Sequence, residues 1–234
     1  MGRREVGGGD LPPQATKATE VRAMFDRIAP RYDLVNRVMT FGLDRLWRRR
    51  AVAALRLQPS ARTLDVACGT GDLCTELQRV GFFAIGCDLS LGMLRSATTS
   101  APLIQCDALR LPFESGSFDG VTCGFALRNV VDITAVVSEL ARVTRRGGRV
   151  SVIEVAQPRA RILRAGHGFY FNRVVPLIGR ALSDGPAYRY LPKSVTYLPP
   201  QLELLTIFRD AGFPDAFSSP LGVGAAQLIT ATRE

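Results

Sequence analysis

Histidine is almost absent from this 234-residue chain, which holds only His167, and lysine nearly so, with Lys17 and Lys193 alone. Five cysteines (Cys68, Cys74, Cys87, Cys106 and Cys123) contain no C-x-x-C pair, so the usual spacing of a zinc or dithiol site is missing. Each falls in or beside an apolar, strand-like stretch, the setting of buried, reduced thiols in a reducing compartment. No apolar run approaches the roughly 20 residues of a membrane span, and the N-terminal MGRREVGGGDLPPQATK carries charge without an apolar signal core. A cytoplasmic, soluble protein is expected. The formal net charge of +9 is almost entirely arginine; it leaves nucleic acid or an anionic membrane open as partners until the motifs are read.

Residues 1–18 are Gly/Pro-rich and polar, and read as a disordered lead-in to a single domain spanning 19–234. From Val21 to Leu57 the apolar residues recur with helical spacing (Met24, Phe25 and Ile28, then Leu34, Val35 and Val38, then Leu46, Trp47 and Val52), broken at Pro30 and Gly42. This predicts a helical cap over 19–57. After Pro59, short branched runs alternate with amphipathic stretches: TLDVAC, GDLCTELQRVG, FAIGCDLS, LGMLRSATTS, LIQCDAL, FDGVTCG, ITAVVSELARVTRRGG and RVSVIEVA. Strands separated by helical crossovers pair in parallel, so the fold class is α/β, a doubly wound and mostly parallel seven-stranded sheet. An insertion over 158–198 follows, then a helix from Pro200 to Ala211, and two strands (Ala216–Leu221 and Ala225–Thr232) that close the sheet as an antiparallel hairpin around Gly222-Val223-Gly224.

The chemistry gathers where the first strand runs into its helix, Leu64-Asp65-Val66-Ala67-Cys68-Gly69-Thr70-Gly71-Asp72. Gly69 and Gly71 let the backbone turn tightly and approach a ligand at a helix N-terminus. Asp88 ends the second strand, where a carboxylate suits the ribose hydroxyls of an adenosyl group, and Asp107 with Ala108 ends the third, where adenine would lie. With Asp65, these place acids at successive strand ends, the rim on which such sheets bind ligands. A dinucleotide fold wants a small residue three positions after Gly71, and Cys74 stands there. The pattern therefore points to S-adenosylmethionine (SAM) rather than NAD, and to a methyltransferase of the class I SAM-dependent type.

Further blocks resemble the ubiquinone/menaquinone C-methyltransferase family: Phe25-Asp26-x-Ile28-Ala29-x-x-Tyr32-Asp33-x-x-Asn36 with Gly42 and Trp47-Arg48; Phe125-x-Leu127-Arg128-Asn129-Val130; Arg142-Val143-x-x-x-Gly147-Gly148-Arg149 through Glu154; and Ala187-Tyr188-x-Tyr190-Leu191-Pro192-x-Ser194. The resemblance implies methylation of a polyprenylated quinol ring carbon, demethylmenaquinol to menaquinol, with Thr70, Asp88, Asp107 and Ala108 at cofactor positions. Gly124 stands where the family usually has a serine beside the cofactor, and Lys193 where an acid is common. Methylation of a soluble aromatic acceptor, or SAM binding without catalysis, are the competing readings. A base-modifying enzyme is disfavoured because the fourth strand ends in Gly124-Phe125-Ala126-Leu127 rather than an Asn/Asp-Pro-Pro-aromatic tetrad, so nucleic acid is not an expected partner.

The methyl group of a sulfonium is already activated, so no metal is expected, and the protein's work is to align the acceptor and stabilise its phenolate. Arg128 and Asn129 are placed to reach that oxygen, and Tyr32 and Asp33 to close the site from the cap. His167 lies off the strand ends, in Arg164-Ala165-Gly166-His167-Gly168, and reads as a surface or substrate-loop residue. The basic, apolar stretch from Ile162 to Leu182, with Trp47-Arg48-Arg49-Arg50 as a second contact, reads as peripheral attachment to the inner face of a membrane, from which a lipid quinol would be taken. A homodimer stays open.

Overall fold

Leu64, Asp65 and Val66, then Val121, Thr122 and Cys123, then Val150, Ser151 and Val152 are all buried; consecutive positions, and so both faces of the sheet, are thus covered along three strands, as a parallel sheet with helices on both faces requires. The computed structural model describes residues 14–156, 158, 168, 170, 173, 187, 190 and 193–234. Three helices come first, α1 (Gln14–Ile28), α2 (Tyr32–Met39) and α3 (Leu43–Ala54), with a 3-10 turn at Ala29–Arg31. Then follow β1 (Arg62–Val66), α4 (Asp72–Arg79), β2 (Phe83–Asp88), α5 (Leu91–Arg95), β3 (Leu103–Gln105), β4 (Phe118–Gly124), α6 (Ile133–Val143) and β5 (Thr144–Val155). Past residue 193, helix α7 (Gln201–Asp210) precedes β6 (Phe217–Leu221) and β7 (Ala226–Thr232). The expected helix breaks hold. Pro30 opens the 3-10 turn, and Gly42 sits at φ 73° ahead of α3.

The seven strands lie in the order β3-β2-β1-β4-β5-β7-β6, with β7 antiparallel to both its neighbours. The chain runs outward from β1 through β2 to β3, then returns to β4 on the other side of β1. The strand order therefore reverses between β1 and β4, and the crevice at their carboxyl ends is where ligands of doubly wound sheets bind. Side-chain caps start the helices facing that edge: the Ser90 hydroxyl accepts from the Met93 N–H at α5, and Asp132 from the Ala135 N–H at α6.

Helix α1 begins at Gln14, inside the stretch expected to be a disordered lead-in through residue 18. The reason is Lys17, whose ammonium donates to the Val130 carbonyl at 2.7 Å and stands over the Tyr197 ring. All five cysteines are free thiols, four buried and Cys106 half-buried. Among the described residues no helix is long and apolar enough to cross a membrane, and no cluster of His, Cys, Asp and Glu would hold a metal ion. His167 and most of Ile162–Leu182 lie outside the described residues. The expected contact at Trp47-Arg48-Arg49-Arg50 is corrected in part: Trp47 and Arg48 are buried, and only Arg49 and Arg50 are exposed.

Candidate active site

The loop after β1 coils through left-handed backbone at Ala67 (φ 55°), Gly69 (φ 57°) and Gly71 (φ 85°). The two glycines do different work. A Cβ on Gly69 would meet nothing within 4 Å, because that position opens onto the cleft, whereas one on Gly71 would collide with the Thr99 methyl. Gly71 is thus a packing requirement and, unlike Gly69, is not part of the cleft lining. The Gly69 N–H donates to Asp88 Oδ2 and the Ser90 N–H to Asp88 Oδ1, each at 2.8 Å. One carboxylate therefore ties the loop after β1 to the loop after β2. Burial raises the Asp88 pKa, and these two N–H donors oppose the rise.

Gly69, Asp88, Asp107, Ala108 and Gly124 line one cleft of about 880 Å³, counting space open to solvent, with apolar walls that include Phe25 and Met93. Asp107 is exposed, and its Oδ1 accepts the Leu109 N–H at 2.9 Å. The glycine that leaves the cradle open, the two acids on its rim and the apolar faces between them fit an adenosyl group.

A smaller hollow adjoins the cleft, lined by Asp65, Thr70, Asp72, Arg48 and again Gly69 and Gly124. Asp65 is 1% exposed. Its carboxyl accepts from Thr122 Oγ1 at 2.7 Å, yet desolvation pushes its pKa up to about 7. Arg48 is held by Asp44 and by Asp72 Oδ2 at 2.9 Å.

Two carboxylates of the cap latch onto these loops. Asp33 Oδ1 accepts from Thr70 Oγ1 at 2.6 Å, and Asp26 Oδ1 accepts from Ser90 Oγ at 2.6 Å and the Gly92 N–H at 2.8 Å. Thr70 therefore spends its hydroxyl proton on the cap while lining the hollow, and Asp33, which lines neither the cleft nor the hollow, ties the cap to the glycine loop. Asp26 stands in the Phe25-Asp26 motif, and its role emerges only from this tertiary contact. The signal was the exposed N-terminus of α5, which a carboxylate suits. Asp26→Ala is expected to cost about 1–3 kcal/mol and to loosen α1 first, checked by urea unfolding and by faster amide exchange in α1.

Beyond the cleft lies an apolar cavity of about 1150 Å³, walled by Met39, Trp47, Phe125 and Tyr170. Tyr32 and Phe125 line the cleft, the hollow and this cavity alike. Burial raises the Tyr32 pKa against the opposing pull of an Asn36 hydrogen bond and of Arg128 and Arg48, so near neutrality the phenol keeps its proton and serves as a donor. The expected Arg128–Asn129 pair is split: Arg128 lines the apolar cavity and Asn129 the cleft. The Arg128 guanidinium is bonded to Glu154 and to the Phe125 carbonyl at 2.7 Å; its buried Nε has no hydrogen-bond partner among the described residues. The Asn129 amide donates to the same carbonyl at 3.3 Å, and its oxygen accepts from the Tyr190 hydroxyl at 3.2 Å. Phe41, Phe125 and Val223 all line the apolar cavity at positive φ. Such backbone costs about 1–2 kcal/mol per residue and gathers where a site needs it.

A family model, that of the ubiE/COQ5 methyltransferase family, matches residues 13–233. The chain belongs to this family. It is therefore a methyltransferase, and relatives agree over nearly the whole length. A protein of Roseiflexus sp. (strain RS-1) named demethylmenaquinone methyltransferase is 46% identical over 94% of this chain and 96% of its own. The Geobacter sulfurreducens ubiquinone/menaquinone biosynthesis C-methyltransferase UbiE is 40% identical over 92% and 88%. Among solved structures, a SAM-dependent methyltransferase of Thermotoga maritima, described as a possible histamine N-methyltransferase, superposes with a TM-score of 0.64 at 20% identity, covering 92% of this chain and all of that one. That likeness establishes the class I methyltransferase fold.

Proposed function

We propose that this methyltransferase transfers the methyl group of SAM to a ring carbon of an isoprenoid-bearing quinol, converting demethylmenaquinol to menaquinol. The observation that carries the reading is the shared position of Tyr32 and Phe125, which wall both the adenosyl-shaped cleft and the apolar cavity. A donor in the first and a flat, greasy ring in the second would meet across those two side chains. The naming of the 46% identical relative as a demethylmenaquinone methyltransferase supports the same acceptor.

When bound, SAM supplies an electrophilic methyl on its sulfonium. The residues of this chain would hold and orient it: Asp88 toward the ribose, Asp107 and the Ala108 backbone toward adenine, and Asp65 toward the methionine ammonium. Acceptor activation falls to cations and donors, since a quinol carbon becomes nucleophilic as its neighbouring hydroxyl ionises. The Arg128 guanidinium, which borders the apolar cavity, and the protonated phenol of Tyr32 are two donors for that oxygen. Asn129 positions the Phe125 carbonyl that also holds Arg128.

Incubation of the purified protein with methyl-labelled SAM and reduced demethylmenaquinone is expected to place the label on the naphthoquinol ring, read by mass spectrometry of the extracted lipid. Transfer to a soluble phenol but not to the lipid quinol would overturn the reading.

A further inference from the structure

Phe41 and Val223 share two costs that a folded chain ordinarily avoids. Each exposes 77% of its surface, as much as any other large apolar residue described, and each is held in left-handed backbone, at φ 53° and 52°. Glycine or asparagine would occupy either position with less strain. Phe41 lies in the turn between α2 and α3, and Val223 in the turn between β6 and β7, yet both line the same apolar cavity. The Val223 turn is fixed from both sides: a Cβ on Gly222 would strike Trp47, and one on Gly224 would press on Pro158.

We propose that Phe41 and Val223 form a threshold over which the isoprenoid tail of the acceptor leaves the cavity. This rests on the proposed function and assigns the tail of that substrate a place. The way out borders the cavity directly. A groove of about 1950 Å³, walled by Leu198, Pro199 and Phe217, shares Val155, Gly222, Val223 and Ala226 with the cavity. An occupant of this path must begin inside the cavity beside Tyr32 and continue outward as a thin hydrocarbon chain. A bilayer or a second protein would cover the two exposed side chains but would not extend inward from them. The tail does both, and its burial returns the apolar area that the fold leaves uncovered.

The test is the ratio of kcat/KM for an acceptor carrying several isoprene units to that for the same ring carrying none. Wild type is expected to favour the tailed acceptor by at least about tenfold, since each buried methylene contributes to binding. In the double variant Phe41→Asn/Val223→Asn the ratio should fall by about tenfold while Tm holds or rises, because asparagine tolerates left-handed backbone. Val223→Gly, which only relieves strain and removes the side chain, should lower the ratio in the same direction. Leu202→Asn, at an equally exposed leucine that lines none of these cavities, should leave it unchanged. An unchanged ratio in the double variant overturns the threshold alone. Failure of wild type to methylate either acceptor overturns the proposed function, and the threshold with it.

Discussion

Asp65→Asn is expected to stabilise the free protein and to weaken SAM binding in the same variant. Asp65 sits on β1 with 1% exposure, and its pKa is pushed from the ordinary 3.8 up to about 7. The unfolded chain releases this proton near pH 4 and the folded chain only near pH 7. Below both values the carboxyl is neutral in either state and costs nothing. Between them folding takes up a proton, so the stability of the wild type falls as pH rises, by on the order of 4 kcal/mol in all, with no further loss above pH 7. Asparagine keeps an acceptor for the Thr122 hydroxyl and has no charge to bury. The gain in Tm should therefore be small at pH 4, grow toward pH 7 and then level off. The proposed methionine ammonium would lose its counter-charge, however, and SAM affinity should fall about 10–100-fold, the cost of leaving a buried polar group unpaired. In the wild type a cation beside Asp65 draws its pKa down, so binding near pH 6–7 should release a proton, seen in calorimetry as an enthalpy that depends on the buffer. Undiminished SAM affinity in Asp65→Asn, with no proton released by wild type, would remove Asp65 from the site.

The frame of the fold was legible because period and punctuation agree. Branched runs such as Val150–Ile153 carry no helical spacing, Pro30 and Gly42 interrupt the cap where they stand, and the acids at the ends of β1, β2 and β3 converge because parallel strands end on one edge. What escaped the sequence depends on partners remote in the chain. Nothing near Arg128 announces Glu154, twenty-six positions away on the adjoining strand β5. Lys17 looked like part of a polar tail until the Val130 carbonyl and the Tyr197 ring gave its ammonium a place. Asp33 looked like a roof over the substrate, but it bonds the Thr70 hydroxyl and so couples the cap to the glycine loop. In each case the residue type suggested a polar role and only tertiary packing chose the partner.

The Arg128–Glu154 pair separates a structural from a chemical role. Glu154 is fully buried and accepts from the Arg128 guanidinium and the Val155 N–H. Arg128→Met would strand that carboxylate, and removing one partner of a buried pair costs about 3–5 kcal/mol. A loss of turnover in that variant is therefore ambiguous. Adding Glu154→Gln removes the stranded charge while keeping an acceptor for the Val155 N–H, so the double variant should recover most of the Tm. Its kcat should stay depressed by about 10²–10³-fold, the range for a lost donor to a developing oxyanion. The KM for SAM should change little, because Arg128 lines the apolar cavity and not the adenosyl-shaped cleft. The phenolate role predicts a further shift: with the cation gone the acceptor hydroxyl ionises less readily, so residual kcat should rise with pH over a range where wild type is flat. Recovery of kcat together with Tm in the double variant would mean that Arg128 serves only to neutralise Glu154, and the phenolate would then rest on Tyr32 alone.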